Sequence, residues 1–433
     1  MQLVVAGSSL CAQVTAAALA STGHDVLLYL DEFKHFNAIE QGHSLWREAG
    51  LNELLLEQLN SGRLKITLSY IPTEATQRVF LAMAPNQQDE AVMLIKKLAA
   101  YPEADVLLIN QSTFPVGTTE YLEALLQTVS LQKNAETGIK RVAVSLPDLM
   151  QEGSAIAGFT RPNHLLLGSA SDWAEAEVRE ILRPFNRRRD NLMVMTPREA
   201  EFTKLAITGM LATRLSFMND MANLADSLQV DIEKVRQGVG ADQRIGEHYL
   251  YPGCGFGGLS FSRDVMSLAH SLESSGVGSD LLEEVLAINE RQKEWLFRKL
   301  WSYFNTDLKG RTFAIWGAAF KPGSDKIDNA PVLRLLQALW AQGAKVKLHD
   351  PQAMEALGLW AGVRDDLEFC DTPYAALKNA DALLLVTEWK AYWGPDFEKI
   401  KSLLKQPVIL DGRNIYDPDY VRSLGFTYFG VGR

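Results

Sequence analysis

The chain has 433 residues, 47% of them hydrophobic and 22% charged, the balance of an ordinary globular protein with room for about three domains. A net charge of −10 argues against a broad nucleic-acid surface. A small anionic ligand stays possible, because local amides and a few Arg or Lys side chains can hold one.

The three cysteines, Cys11, Cys254 and Cys370, show no CxxC spacing, which argues against a zinc site or a disulfide framework and fits a reducing cytoplasm. The histidines are scattered, with no pair at metal-ligand spacing, so no metal is expected. The opening MQLVVAGSSL lacks a basic n-region and reads as a first strand, not a signal peptide. No apolar run approaches the roughly 20 residues that span a bilayer, so no membrane insertion is expected.

Short β-rich runs open the chain: LVVAG (3–7), DVLLYL (25–30), VFLAMA (79–84), DVLLIN (105–110) and VAVSLP (142–147), then LLLG (165–168) and LMVM (192–195). Runs apolar on both faces suit strands covered by helices on both sides, as in a parallel sheet. Residues 198 to about 227 read as one long helix, with Pro197 at its first turn. Further helical patterns reach about residue 304, interrupted by a glycine-rich stretch. Strand and helix then alternate again, in TFAIWG (312–317), KVKLHD (345–350), ALLLVT (382–387) and VILDG (408–412). The expectation is an α/β protein with two Rossmann-like doubly wound domains (1–197 and 305–433) joined by a central helical domain (198–304).

Gly7-Ser8-Ser9-Leu10-Cys11-Ala12 follows the first strand and opens a helix, where a dinucleotide-binding G-x-G-x-x-G/A turn would stand. Gly7 suits the tight turn and Ala12 the third position. Ser9 replaces the glycine that lets backbone meet a pyrophosphate, and a side chain there narrows the gap. Asp31, 19 residues past Ala12, stands where an acid binds the adenosine ribose and favours NAD over NADP. The competing reading is a βαβ start with a surface Asp and no cofactor.

Residues 255–264 read GFGGLSFSRD, and glycines at that density let backbone amides come close to a ligand. The segment resembles the catalytic loop of the UDP-glucose/GDP-mannose 6-dehydrogenases, GFGG-S-C-F-x-K-D, whose Cys is the covalent nucleophile. Ser260 stands in that position, and Asp264 matches the terminal acid. Further strings resemble the same family across nearly the whole chain: STFPVGT (112–118), PDLMQEGSAI (147–156), EFTKLAIT (201–208), DQRIG (242–246), GAAFKP (317–322), TEW (387–389) and DGRN (411–414).

The resemblance implies a catalytic set of Ser260, Lys204, Asp264, Thr208, Asp148 and Thr113. Thr208 stands for a family Asn and Asp148 for a family Glu. It implies an NAD site of Gly7, Ser9, Ala12, Asp31, Thr118 and Glu152. A UDP-sugar site would use Leu149, Arg244, Tyr249, Gly257, Phe320, Lys321 and Arg413, with Arg244 reaching into a partner subunit of a homodimer formed by the central helices. A Thr is missing before Pro85, and Asp328 stands where the family has Arg.

Family members oxidise a C6 alcohol twice with two NAD molecules, trapping the aldehyde on the Cys as a thiohemiacetal. A thiol suits this because its pKa is about 8.5; a serine hydroxyl ionises far less readily and needs an adjacent base. Cys254, six residues upstream, reads either as a displaced nucleophile or as a buried structural thiol. The departures gather on the NAD and redox side. Two readings follow: a dehydrogenase that is slow or stops at the aldehyde, and a non-catalytic UDP-sugar binder acting as a sensor or as partner of an active paralogue. A third is a non-redox enzyme on the same scaffold.

Overall fold

The computed structural model describes residues 1–72, 77–101, 104–128, 138–186, 190–278 and 280–433. They form two compact units, Met1–Ala206 and Ile207–Arg433.

The first unit is built on an eight-stranded sheet. Its strands are β1 (Gln2–Ala6), β2 (Asp25–Tyr29), β3 (Leu64–Thr67), β4 (Gln77–Leu81), β5 (Val106–Asn110), β6 (Arg141–Ser145), β7 (Leu165–Gly168) and β8 (Leu192–Met195), in the order β3-β2-β1-β4-β5-β6-β7-β8. Neighbours run parallel except β6 and β7, which meet antiparallel at Ser145 and Gly168. The winding reverses at β1, which lies between β2 and β4, and such a switch point opens a crevice at the carboxyl ends of the strands. Gly7, Asp31 and Ala82 stand at that end. The helix Leu10–Ser21 follows β1; it is rich in alanine and buried over nearly its whole surface, because it packs between the sheet, the helix Leu51–Asn60 and the helix Ala155–Thr160.

The helix Pro197–Leu228 begins in the first unit and continues into the second. Helices Ile232–Ala241, Leu259–Ser274, Asp280–Lys293 and Trp295–Tyr303 follow it. Core side chains of Pro197–Leu228, Ile232–Ala241 and Trp295–Tyr303, among them Met218, Ala222, Ile232, Trp295 and Leu300, share one apolar cluster with the second sheet. That sheet has six parallel strands: β9 (Thr312–Trp316), β10 (Lys345–His349), β11 (Leu367–Phe369), β12 (Ala382–Leu385), β13 (Val408–Asp411) and β14 (Thr427–Gly430), in the order β11-β10-β9-β12-β13-β14. This repeats the winding of the first six strands of the other unit. The fold is therefore the expected α/β class, with two Rossmann-like sheets and helices in the chain between them. The expected strands all form, and β3, β11 and β14 join them as edge strands that the apolar runs did not reveal.

Candidate functional site

The turn after β1 has the geometry that a dinucleotide requires. Gly7 has φ of +133°, and a Cβ there would lie 2.3 Å from the Ala82 carbonyl oxygen, so only glycine fits. Its N–H donates to the Tyr29 carbonyl at 2.9 Å. The Ser9 hydroxyl is engaged internally. It caps the helix Leu10–Ser21, accepting the Ala12 N–H at 3.0 Å and donating to the Ala82 carbonyl at 2.5 Å. Asp31 accepts from the Ser8 hydroxyl on one oxygen and from the Gln87 side-chain amide on the other. Gln87 also accepts the Ala84 N–H at 2.9 Å, bracing the turn that carries Pro85. The sequence reading missed Gln87, because an amide after a turn has no distinguishing pattern. Gly7 and Asp31 thus fit an adenine dinucleotide, with Ser8 and Gln87 orienting the acid.

Asp148 and Lys204 interact within the first unit, and Cys11 lies against Asp148. Burial pushes the Asp148 carboxyl above its ordinary range while Lys204 pulls it back. Burial, and then the neighbouring Asp148, push the Cys11 thiol well up, so it is held as a neutral thiol. A cavity of about 410 Å³ in this unit is lined by Gln111, Asp148, Leu149, Met150, Arg161 and His164, among others. Thr118 is buried, and its hydroxyl donates to the Pro115 carbonyl at 2.6 Å. Glu201, one turn before Lys204, is buried as well. It accepts the N–H groups of Gly117 (2.6 Å) and Thr119 (2.9 Å) and the Thr119 hydroxyl (2.6 Å), so it fixes the 112–118 loop against the helix that carries Lys204. Sequence reasoning quoted Glu201 as the first residue of the 201–208 string but gave roles to Lys204 and Thr208 alone.

The glycine segment of the second unit is held from below. Phe256 exchanges hydrogen bonds with the Asn289 side chain at 2.8 and 3.0 Å, and Gln292 donates to the Gly253 carbonyl at 2.8 Å. A Cβ on Gly257 would lie 2.7 Å from the Asn329 carbonyl oxygen, and one on Gly258 would lie 2.8 Å from the Phe320 ring. The glycines therefore serve close packing against residues 320 and 329. Asp328, in place of the expected Arg, accepts the Gly258 N–H through its carbonyl at 2.8 Å. Lys293, buried beneath the loop, donates to Glu290 and Asn329 at 2.6 Å each.

Ser260 lies at the start of the helix Leu259–Ser274 and is exposed. Its hydroxyl makes no hydrogen bond with any described residue. Asp264, one turn further on, is buried, with the Arg263 guanidinium at 3.6 Å. Cys254 is fully buried, its N–H on the Gly412 carbonyl at 2.8 Å and its thiol 3.7 Å from the Val386 carbonyl; burial raises its pKa. It sits in the core as a packing thiol.

A second cavity, of about 300 Å³, lies wholly within this unit and is lined by Tyr251, Pro252, Arg413, Asn414, Tyr416 and Arg433, among others. Arg413 donates from Nε to the Val386 carbonyl at 2.7 Å and lies 3.2 Å from Glu388, which leaves its Nη2 without a partner among the described residues. A guanidinium with an unused donor in a cavity wall suits an oxyanion or a carbonyl. Tyr249, with φ of +58°, stacks on Phe261 at 6.4 Å. The Lys321 ammonium lies 5.4 Å from the centre of the Phe320 ring. Arg244 is exposed and paired with Asp242 at 2.7 Å, and it does not line this cavity.

A doubly wound sheet whose strand β1 leads into a dinucleotide-type turn, on the same chain as an arginine-lined cavity, is the architecture of a nucleotide-binding α/β protein. Three domains of one family match the chain in order: the NAD binding domain over residues 1–186, the central domain over 198–291 and the UDP binding domain over 314–418. The UDP-glucose 6-dehydrogenase of Pseudomonas aeruginosa is 40% identical, with 100% of this chain and 98% of that protein covered. A Bacillus subtilis UDP-glucose 6-dehydrogenase is 32% identical, covering 100% and 93%. The solved UDP-glucose dehydrogenase of Pyrobaculum islandicum superposes with a TM-score of 0.87 at 29% identity, covering 100% and 97%. The chain therefore belongs to the UDP-glucose/GDP-mannose dehydrogenase family. Among the described residues no helix is long and apolar enough to cross a membrane.

Proposed function

We propose that the protein binds NAD in its first unit and a UDP-hexose through its second. It removes a hydride from the C6 alcohol and releases the aldehyde instead of carrying it to the carboxylate. The observation that supports this most directly is Ser260, an exposed hydroxyl without a hydrogen-bonded base at the position of the family's nucleophile. NAD, when bound, supplies the hydride acceptor. Gly7 and Asp31 would hold it, with Thr118 and Glu152 as further contacts. Lys204 would stabilise the alkoxide that forms as the alcohol loses its proton, and Asp148, whose pKa burial raises, would take that proton. Arg413 and Lys321 would hold the diphosphate, with Tyr249, Gly257 and Phe320 shaping the sugar site.

The assembly proposed is a homodimer through the central domain (198–304), in a cytoplasmic setting. Met210, Phe217 and Leu224 are exposed apolar side chains seven residues apart on the helix Pro197–Leu228, and Leu228 extends the row. Arg244 would then serve the partner's sugar site. A second reading, a binder without redox activity, draws support from Asp31. Each of its oxygens already accepts one internal hydrogen bond, which leaves it fewer lone pairs for ribose hydroxyls.

The test is NADH formation with UDP-glucose, with the sugar product identified by mass spectrometry after trapping aldehyde with hydroxylamine. The expected outcome is trapped aldehyde with little uronic acid, and a gain of uronic acid in Ser260→Cys. Brisk uronic acid formation by the unmodified protein overturns the proposal. Calorimetric binding of a UDP-sugar with none of NAD favours the second reading.

A further inference from the structure

Residues 44–48 form a strap between the cofactor turn and the loop that carries Asp148, all within the first unit. At one end the Trp46 indole N–H donates to the Ser8 carbonyl at 2.8 Å. The same carbonyl accepts from the Gln13 side-chain amide at 3.2 Å. Gln13 in turn accepts the Ser44 hydroxyl at 2.6 Å, and that hydroxyl accepts the Trp46 N–H at 2.9 Å. The Trp46 ring stacks on His35 at 5.8 Å. At the other end Glu48, 7% exposed, accepts the N–H groups of Gly153 at 2.6 Å and Ala155 at 2.8 Å. Ser154, which precedes the short helix Ala155–Thr160, makes no capping bond with its own side chain, so the cap comes from Glu48. The loop between Pro147 and Ser154 holds Asp148, Leu149 and Glu152. It is fixed at one end by β6 and at the other by this carboxylate.

We infer that Glu48 is a positioning residue: it sets the Asp148 loop and, through Trp46, ties that loop to the turn that receives the cofactor. This rests on the oxidation proposed above, where Asp148 takes the alcohol proton. A carboxylate accepting two buried N–H groups makes charge-assisted bonds that a neutral amide cannot replace. In Glu48→Gln one oxygen becomes an NH2 group facing an N–H donor, so the loop loses one of its two anchors. A displacement of about 1 Å at a reacting group costs up to roughly a hundredfold in rate.

Two measurements test the strap. Glu48→Gln is expected to lower kcat for NADH formation about tenfold while KM for NAD stays within about twofold. A general structural defect would instead lower the active fraction or raise KM alongside the loss in kcat, and either pattern, or an unchanged kcat, overturns the inference. The second measurement needs neither ligand nor turnover. Trp46→Phe removes the donor to Ser8 and leaves Glu48 in place. Hydrogen exchange of the ligand-free variant is expected to speed up about tenfold over residues 153–155, with the amides of β1 and β5 unchanged. Exchange at 153–155 equal to that of the unmodified protein overturns the coupling. If the unmodified protein forms no NADH, the proposed oxidation fails, and the exchange measurement still decides the strap.

Discussion

In both sheets the first strand ends at a glycine with positive φ, +133° at Gly7 and +100° at Gly317. Each glycine N–H donates at 2.9 Å to the last carbonyl of the second strand, Tyr29 or His349. The acid that follows that second strand is treated differently in the two units. Asp31 is partly exposed and bonded by the side chains of Ser8 and Gln87. Asp350 is fully buried. It accepts the N–H groups of Ala318, Ala319, Gln352 and Ala353 at 2.7–3.0 Å and the Trp389 indole at 2.9 Å. The second sheet therefore fills its own anion cradle with a carboxylate, since the amides of residues 318 and 319 occupy the place that would face a phosphate. The Gly317 turn has become internal structure, and the open guanidinium of this unit is Arg413, in a cavity at the end of β13. One topology thus serves two purposes, and the side chain after the second strand separates them.

The largest effect should come from taking the two acids away. Asp350→Ala leaves five donors, four of them buried, without an acceptor, at about 1–3 kcal/mol for each buried one. The second unit is expected to lose its cooperative melting transition or to melt far below the unmodified protein in scanning calorimetry. Asp31→Ala should shift melting only slightly, by about 1 kcal/mol or less, and weaken NAD binding about tenfold in a calorimetric titration. Equal melting of the two variants would show that the buried and the open acid do the same work, and the contrast would be gone.

A smaller but more selective effect is expected from Gly7→Ala. The new methyl meets the Ala82 carbonyl oxygen at 2.3 Å, at a φ that L residues avoid, for a cost of roughly 1–3 kcal/mol. NAD affinity should fall by at least about tenfold with UDP affinity unchanged. A matching fall in UDP affinity would mean that the two nucleotides do not divide between the units as proposed.

How much of this the sequence disclosed depended on burial and on distance along the chain. Central strands such as VLLIN of β5 are buried throughout and read as continuous apolar runs. The strands that escaped notice, β3, β11 and β14, are all at sheet edges, short and partly exposed, with Lys65, Glu368 and Thr427 breaking the apolar pattern. Ser260 and Lys204 stand in local strings and could be picked out. Glu48, Gln87 and Lys293 could not, because each acts on groups remote in sequence, in the case of Glu48 105 residues away. Side chains that hold distant backbone leave no local spacing to detect. The reach of the Ser9 side chain was also invisible, because the residue type gives its size and not its rotamer.

Ser9→Gly gives the smallest expected effect and isolates the turn itself. If the Ser9 side chain obstructed the pyrophosphate, restoring glycine would raise NAD affinity sharply. The hydroxyl instead is held by the Ala12 N–H and the Ala82 carbonyl, so its rotamer is fixed by internal partners. Replacing a Ser cap with Gly costs only a few tenths of a kcal/mol, so the melting temperature should barely move. NAD affinity should change by less than about threefold, because the backbone that meets the phosphates keeps its path. A tenfold gain in a calorimetric titration would place the obstruction at Ser9. The first unit would then have closed its cradle with a hydroxyl, as the second has with Asp350.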